Sequence, residues 1–534
     1  MSIVTSTGRG THEGHPRRWL ILFVLIMALF GVSLDNTVLT IALPTLARDL
    51  HASTSELQWM VDAYILVFAG MLLLSGALSD RYGRKRMLLI GLVLFGLGSA
   101  ITPVVQTSGQ LIALRAFMGL GAAFMMPATL SIIGDVFAPA ERPTAIAAWA
   151  SVSALGMVAG PLLGGWLLEH YAWPSVFLVN VPFVLLGIAL TVLFIPESRS
   201  PGETPLDLVG AALSVVGLTA LIYAIIEAPG RGWDDPVILV SFAVAAVAIA
   251  AFVAWERRVD HPMLDMRLFR DRRFASACLS VTLVFFALNG ALFFLTQYLQ
   301  GVLGLSAFQT GVRFIPIAIG VMGAALVSAK LTRQIGARLT TTIGLLAVGI
   351  GLGLTSQLRA DSSDAFLTGI MLVVAAGMGL AMTPSTDMIM SALPAAQFGV
   401  GSAVNDTTRE IGGALGVAIL GSLFAGSYTS SMAVPTARLP EEVARIVTDS
   451  FAGALAVAEQ IGGVMGAVLH VAAVQAFVDA MGWTCIVGAA VALVGALIAL
   501  VWMPSSSQVA SATAAVPAPT EADPAMGDTA GTSG

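Results

Sequence analysis

Apolar runs of about 18 residues or more, each able to cross a hydrocarbon core as a helix, recur along this chain with short polar turns between them. Fourteen are read, at 19–42, 57–78, 87–105, 109–136, 145–169, 174–195, 208–228, 236–255, 274–298, 309–329, 338–357, 364–390, 401–425 and 482–503. A further apolar stretch, 452–477, carries Glu459, Gln460, His470 and Gln475. It is read as an amphipathic surface helix inside a long external loop, 426–481, rather than as a span. The pattern predicts an all-α polytopic membrane protein.

Composition agrees. Of 534 residues, 57% are hydrophobic and only 11% charged, against about a quarter charged in soluble domains. The net charge of −6 matters less than where the cations fall. With both termini cytoplasmic, 18 of the 26 Lys and Arg lie inside and five outside, and Arg115, Arg313 and Arg409 lie within spans. That bias fits the positive-inside rule and an even number of spans; thirteen would set one half of the molecule against it. The expected location is the cytoplasmic (inner or plasma) membrane, and no targeting sequence is recognised. Arg17 and Arg18 precede the first run, but its length, Asp35-Asn36-Thr37 and Pro44 make it a retained span rather than a cleaved signal peptide. Cys278 and Cys485 both fall inside spans, so no disulfide framework is implied.

The predicted organisation is a cytoplasmic N-terminus (1–18), a six-helix bundle (19–195), a linker with two extra spans (196–255) and a basic cytoplasmic connector (256–273). A second six-helix bundle (274–503) follows, containing loop 426–481, and then a disordered cytoplasmic tail (504–534) rich in Ser, Ala, Pro and Gly. The two bundles read as diverged copies offset by about 253–257 residues. Asp80-Arg81-Tyr82-Gly83-Arg84 is echoed by Arg333-Gln334-Ile335-Gly336-Ala337, Asn36 by Asn289, and Met126-Pro127-Ala128-Thr129 by Thr383-Pro384-Ser385-Thr386. The second turn lacks the Asp, so only Asp80 can do that residue's work. Such repeats place a substrate site near the membrane midplane, between the halves.

The turn between the second and third spans, Gly76-Ala77-Leu78-Ser79-Asp80-Arg81-Tyr82-Gly83-Arg84-Lys85-Arg86, carries four cations, one carboxylate and two glycines. Glycines permit close helix approach and a tight reversal. This turn resembles the G-x-L-a-D-r-x-G-r-k loop of the major facilitator superfamily. Four further stretches resemble the family in order. They are Leu34-Asp35-Asn36-Thr37-Val38-Leu39-Thr40-Ile41-Ala42-Leu43-Pro44 in span 1, and Arg115-Ala116-Phe117-Met118-Gly119-Leu120-Gly121-Ala122-Ala123 in span 4. Span 5 has Gly156-Met157-Val158-Ala159-Gly160-Pro161-Leu162-Leu163-Gly164-Gly165, and the run from Trp173 to Pro182 leads into span 6. The chain thus resembles the fourteen-span drug:proton antiporters, the multidrug and quaternary-ammonium efflux type. The resemblance implies the major facilitator fold, two pseudo-symmetric six-helix bundles plus two extra central spans.

Charges inside a bilayer are expensive and need a partner or a task. Asp35 and Asp62, on antiparallel spans 1 and 2, are expected at similar depth, where desolvation and mutual repulsion would tune proton uptake and release. The alternative is a vestibule residue bonded to backbone or Thr37. Arg115 is tied by the resemblance to proton movement; the alternative is a structural hub, since an Arg does not itself release a proton. Asp406 and Glu410 share a face of span 13, with Arg409 placed to neutralise Asp406; an interface salt bridge and a transport role both remain open there. Asp387, toward the inner end of span 12, is a further candidate. The resemblance makes Asp80 a cytoplasmic latch of the outward-facing state, with Gly76, Arg81, Gly83, Arg84 and Lys85 completing that conformational gate. Gly156, Gly160, Pro161, Gly164 and Gly165 form the antiporter motif, read as a hinge or slide plane or else as static close packing. Trp59, Tyr64, Phe293 and Phe294 are candidate substrate contacts.

No Gly-rich Walker loop, metal-ligand spacing among the six His, or Ser–His–Asp arrangement is found. No enzyme, cofactor or metal is expected, and no nucleic-acid partner. The expected partners are protons, small amphiphilic or cationic substrates and the lipid bilayer, and the expected state is a monomer. The resulting expectation is a proton-coupled antiporter exporting lipophilic, often cationic, drugs by alternating access. A dedicated exporter of an endogenous metabolite, antibiotic or lipid on the same scaffold is the alternative. A nutrient symporter fits the span 5 motif less well, and a sensor would leave the buried carboxylates idle.

Overall fold

The computed structural model describes residues 14–504 except 51, 53, 200–206, 395–396 and 438. The expected tail beyond 504 and most of the N-terminal segment lie outside the described residues. Among the described residues the chain is helical, with no strand. The helices are α1 (Arg18–Asp49), α2 (Thr54–Tyr82), α3 (Arg84–Ile101), α4 (Ser108–Val136), α5 (Arg142–His170), α6 (Ser175–Leu178) and α7 (Asn180–Phe194). Then come α8 (Leu208–Arg231), α9 (Pro236–Glu256), α10 (Arg272–Gln297), α11 (Ala307–Arg313), α12 (Ile315–Thr355) and α13 (Asp364–Ser391). The chain closes with α14 (Phe398–Thr436), α15 (Glu441–Asp449), α16 (Phe451–Ile461) and α17 (Gly463–Trp502). Among the described residues, twelve stretches are long and apolar enough to cross a membrane. Large apolar side chains such as Leu193, Val247 and Val501 are exposed on the outward faces, as a lipid solvent allows.

Two glycines mark equivalent turns. Gly83, with φ 110°, separates α2 from α3, and Gly336, with φ 87°, breaks α12 within its 41 residues. Both conformations are ones that side chains with a Cβ rarely adopt, so the echoed turn motif is matched by an echoed backbone geometry.

The helix faces repeat as well. A Cβ at Gly156 or Gly160 would strike Ser33 or Thr37, so α5 lies backbone to backbone on α1. In the second half Gly412 and Gly416 of α14 meet Thr282 and Phe286 of α10 in the same way. Trp149 Nε1 donates to Thr129 Oγ1 at 3.1 Å between α5 and α4, and Thr386 Oγ1 donates to Asn405 Oδ1 at 3.0 Å between α13 and α14. The halves meet where α2 packs on α14 and where α5 packs on α11, α12 and α13. Helix α8 lies beside α2, with Thr219 against Gly70 and α9 behind it. The segment ahead of α9 reaches the second half through Trp233 Nε1, which donates to Ser422 Oγ at 3.1 Å.

The structure differs from the expected loop 426–481. Helix α14 runs on to Thr436, α15 and α16 follow, and α17 begins at Gly463, so nearly all of that segment is helical. At 1.5 Å per residue, α14 and α17 are each about 60 Å long, twice a hydrocarbon core of about 30 Å. Their overrun is held by packed rings, with Phe451 and Phe477 centroids 4.4 Å apart and Phe424 between Phe294, Tyr428 and Phe477.

Candidate functional site

The first cluster joins α1, α2, α4 and α7. Asp35 of α1 is 1% exposed. Its Oδ2 accepts a hydrogen bond from Nη1 of Arg115 on α4, and its Oδ1 accepts one from Asn180 Nδ2 at 2.9 Å, at the start of α7. Arg115 Nε also donates to the Met60 carbonyl of α2 at 3.1 Å, and its guanidinium lies 4.3 Å from the centre of the Tyr64 ring. Charge-assisted bonds of this kind are the strong ones. Four helices are therefore tied through one buried ion pair and its amide partner. Asp62, half-buried, lies two residues beyond Met60 on α2, about 3 Å further along the helix axis.

The second cluster lies on α14. Asp406, 1% exposed, has its Oδ1 3.6 Å from Arg409 Nη1 and accepts from Asn405 Nδ2 at 3.3 Å. The Arg409 guanidinium sits between two rings, 4.7 Å from the centre of Phe285 on α10 and 5.2 Å from that of Trp149 on α5. Arg409 thus reaches across the interface between halves. Glu410 is within electrostatic reach of Arg409, Asp406 and the Tyr64 phenol, which brings the two clusters toward each other.

The third group closes one end of the interface. Asp80 is buried rather than exposed at a surface turn. It accepts from the backbone N–H groups of Gly399 at 2.8 Å and Val400 at 3.0 Å, at the N-terminus of α14. Those are orphan donors of a helix start, and Gln397 offers them no side-chain cap. Arg84 pairs with Asp80 at 3.2 Å and with Asp135 at 3.3 Å. A Cβ on Gly76 would lie 2.5 Å from the Gly399 carbonyl oxygen and 2.7 Å from the Ala403 Cβ, so only glycine allows this approach. Phe398 fills the gap, its ring 5.7 Å from the Arg84 guanidinium and 5.2 Å from that of Arg142. Asp387 of α13 faces Arg142 of α5 here, apart from Asp35. Lys85 donates to the Val192 carbonyl at 2.9 Å and Arg81 lies against the Tyr82 ring.

The five residues of the span 5 motif behave differently from one another. Gly156, Gly160 and Gly164 meet Ser33, Thr37 and Val38 of α1, and Thr37 Oγ1 donates to the Gly156 carbonyl at 2.9 Å. Gly165 has nothing within 4 Å of a built Cβ, and Pro161 lies within an unbroken α5. The four aromatic candidates do not converge. Trp59 packs toward Tyr223 of α8, Tyr64 is buried under Arg115, and Phe294 belongs to the α14–α17 ring cluster with Phe293 at its edge.

Over residues 25–417 the chain matches the family model described as Major Facilitator Superfamily. The chain belongs to the Major Facilitator Superfamily. It is 36% identical to the multidrug efflux pump LfrA of Mycolicibacterium smegmatis over 90% of this chain and 95% of that one. It is 34% identical to the methyl viologen resistance protein SmvA of Salmonella typhimurium, over 86% and 93% respectively. Among solved structures, the human organic anion transporter MFSD10 superposes with a TM-score of 0.58 at 17% identity, covering 90% of this chain and all of that one. That likeness concerns the fold. The family and fold are those of a multi-pass membrane transporter rather than an enzyme.

Two groups of this superfamily chain were missed from sequence. Asn180 lay within the quoted run from Trp173 to Pro182, but nothing local points it at Asp35. Phe398 carries no motif at all; its only signal is its place just before the Gly399 that Gly76 meets.

Proposed function

We propose that the chain is a fourteen-span, proton-coupled antiporter that exports lipophilic cations across the cytoplasmic membrane by alternating access, with both termini inside. The span count follows if α5, 29 residues long, is added to the twelve apolar stretches and α12 is counted as two spans joined at Gly336. Drug efflux is supported by relatives named for multidrug efflux and for resistance to methyl viologen, itself a quaternary dication.

The observation that carries the reading is Asp35, fully buried and held by Arg115 and Asn180. A buried ion pair is a poor device for stability but a good one for exchanging a proton against a cation. Asp62, Asp406 and Glu410 are the further carboxylates on this route. In this scheme Asp80, bonded to the start of α14, holds the cytoplasmic side shut while Asp35 is turned to the outside. One charge moving through 100 mV gains about 2.3 kcal/mol, and a pH gradient adds to it.

Proteoliposomes loaded with ethidium test this, with wild type set against Asp35→Asn and a proton gradient imposed or collapsed. Efflux that follows the gradient and is lost in the variant is expected. Wild-type efflux indifferent to the gradient would refute proton coupling, and equal efflux by both proteins would remove Asp35 from it.

A further inference from the structure

Asn180 is fully buried, its Nδ2 donates to Asp35 Oδ1 at 2.9 Å and contacts Ser99 Oγ at 3.4 Å, and its Oδ1 has no hydrogen-bond partner among the described residues. An unmet buried acceptor is costly, so its presence beside the central carboxylate calls for a reason.

The two oxygens of Asp35 are not equivalent. Oδ2 faces Arg115, which has donors only, so a proton cannot sit there without losing that bond. The oxygen free to take a proton is Oδ1, and it faces the Asn180 amide N–H. A protonated Oδ1 would meet donor against donor. Turning the amide by 180° removes the conflict: the Asn180 oxygen then accepts from the Asp35 O–H, and its nitrogen moves to where the unmet oxygen was. Ser99 Oγ, fully buried, is both donor and acceptor and can reverse its hydroxyl to follow.

We propose that Asn180, backed by Ser99, is the positioning residue that adapts to the protonation state of Asp35, turning its amide when Asp35 takes up or releases a proton. The balance is simple: one proton joins or leaves Asp35 Oδ1 and no other bond forms or breaks. The inference rests on reading Asp35 as the proton-coupling carboxylate. The charged or titratable groups facing Asp35 are Arg115 of α4 and the Tyr64 phenol of α2, with Asp62 two residues beyond Met60. Helices α6 and α7 carry no titratable residue, and those of α5 lie at its ends.

The test is pH-difference infrared spectroscopy on the purified full-length chain carrying [13C]asparagine. A carboxylic-acid carbonyl band that disappears in Asp35→Asn is expected to titrate together with an asparagine amide band. In Asn180→Leu the amide component should vanish. The midpoint of the acid band should move, because a bond to a charged acceptor differs in strength from one to a neutral acceptor. Asn180→Ser keeps a group that both donates and accepts, and should titrate close to wild type; it also serves if the leucine variant does not fold. An acid midpoint unchanged in Asn180→Leu, an acid band that titrates with no asparagine change, or no titrating band that depends on Asp35 would each overturn the proposal. Ethidium efflux separates the two readings: gradient-independent efflux beside intact infrared coupling refutes proton-driven transport and leaves the Asn180 assignment standing.

Discussion

The Asp80 carboxylate and the Gly399 backbone N–H, 319 positions apart, are joined by a hydrogen bond of 2.8 Å. One half of the molecule thereby supplies the cap for the first helix turn of the other, where the positive end of the helix dipole favours a carboxylate. Replacing Asp80 by Asn keeps the shape and removes the charge. Bonds to charged groups contribute about 1.5–3 kcal/mol, so the closed arrangement should lose about ten- to a hundredfold in population. Alkylation of a cysteine placed at the fully buried Ser402 should rise accordingly, with efflux falling by a similar factor. Unchanged labelling would mean that the bond does not hold this end closed.

Glycine positions offer a graded series. Gly160→Ala and Gly156→Ala would drive a methyl group into α1, whereas Gly165→Ala meets nothing within 4 Å. Overpacking costs about 1–3 kcal/mol. The first two variants are expected to lower the unfolding temperature in detergent by several degrees, and the third to match wild type. Equal stability of all three would refute close packing of α5 on α1.

Asp35 and Arg115 form a pair whose halves should not contribute independently. Removing one partner of a buried ion pair costs about 3–5 kcal/mol because the other charge is left unmatched. Asp35→Asn and Arg115→Gln should each destabilise strongly, while the double variant recovers much of the loss. Thermal denaturation across this cycle measures the coupling. If Asp35 carries the proton, as proposed, transport should not recover with stability.

Much of this architecture is written locally. The helical, apolar character of the spans, the turn around Gly83 and the glycines of span 5 depend on residues within a few turns of one another; the fold is all-helical, with twelve apolar stretches long enough to cross a membrane among the described residues. The partners of Asp35 are a different matter. Arg115 and Asn180 lie 80 and 145 positions away, and no periodicity links a carboxylate to an amide at that distance. Equivalence between halves was also hidden where chemistry changed. Trp149 and Asn405 hold matching places against Thr129 and Thr386, yet one is an indole and the other an amide. The segment 426–481 misled for a third reason. Its polar residues lower its hydropathy without ending the helices, because contact with buried rings supplies what a bilayer does not.

That last segment yields its own prediction. Phe477 of α17 is fully buried, and the Phe451 ring of α16 packs between it, with centroids 4.4 Å apart, and Tyr428 of α14. Truncating a buried Phe to Ala costs about 3–5 kcal/mol through lost contacts and a residual cavity. The overrun of α14 and α17 has no bilayer around it to hold the helices together, so the loss should appear as local opening rather than global unfolding. Limited proteolysis of Phe477→Ala is expected to cut between Glu441 and Gly463 at least tenfold faster than wild type, while the two resulting fragments remain associated in the membrane. Cleavage at the wild-type rate would show that the ring cluster does not hold α15 and α16 in place. Loss of the whole protein from the membrane would show that its stability is not local.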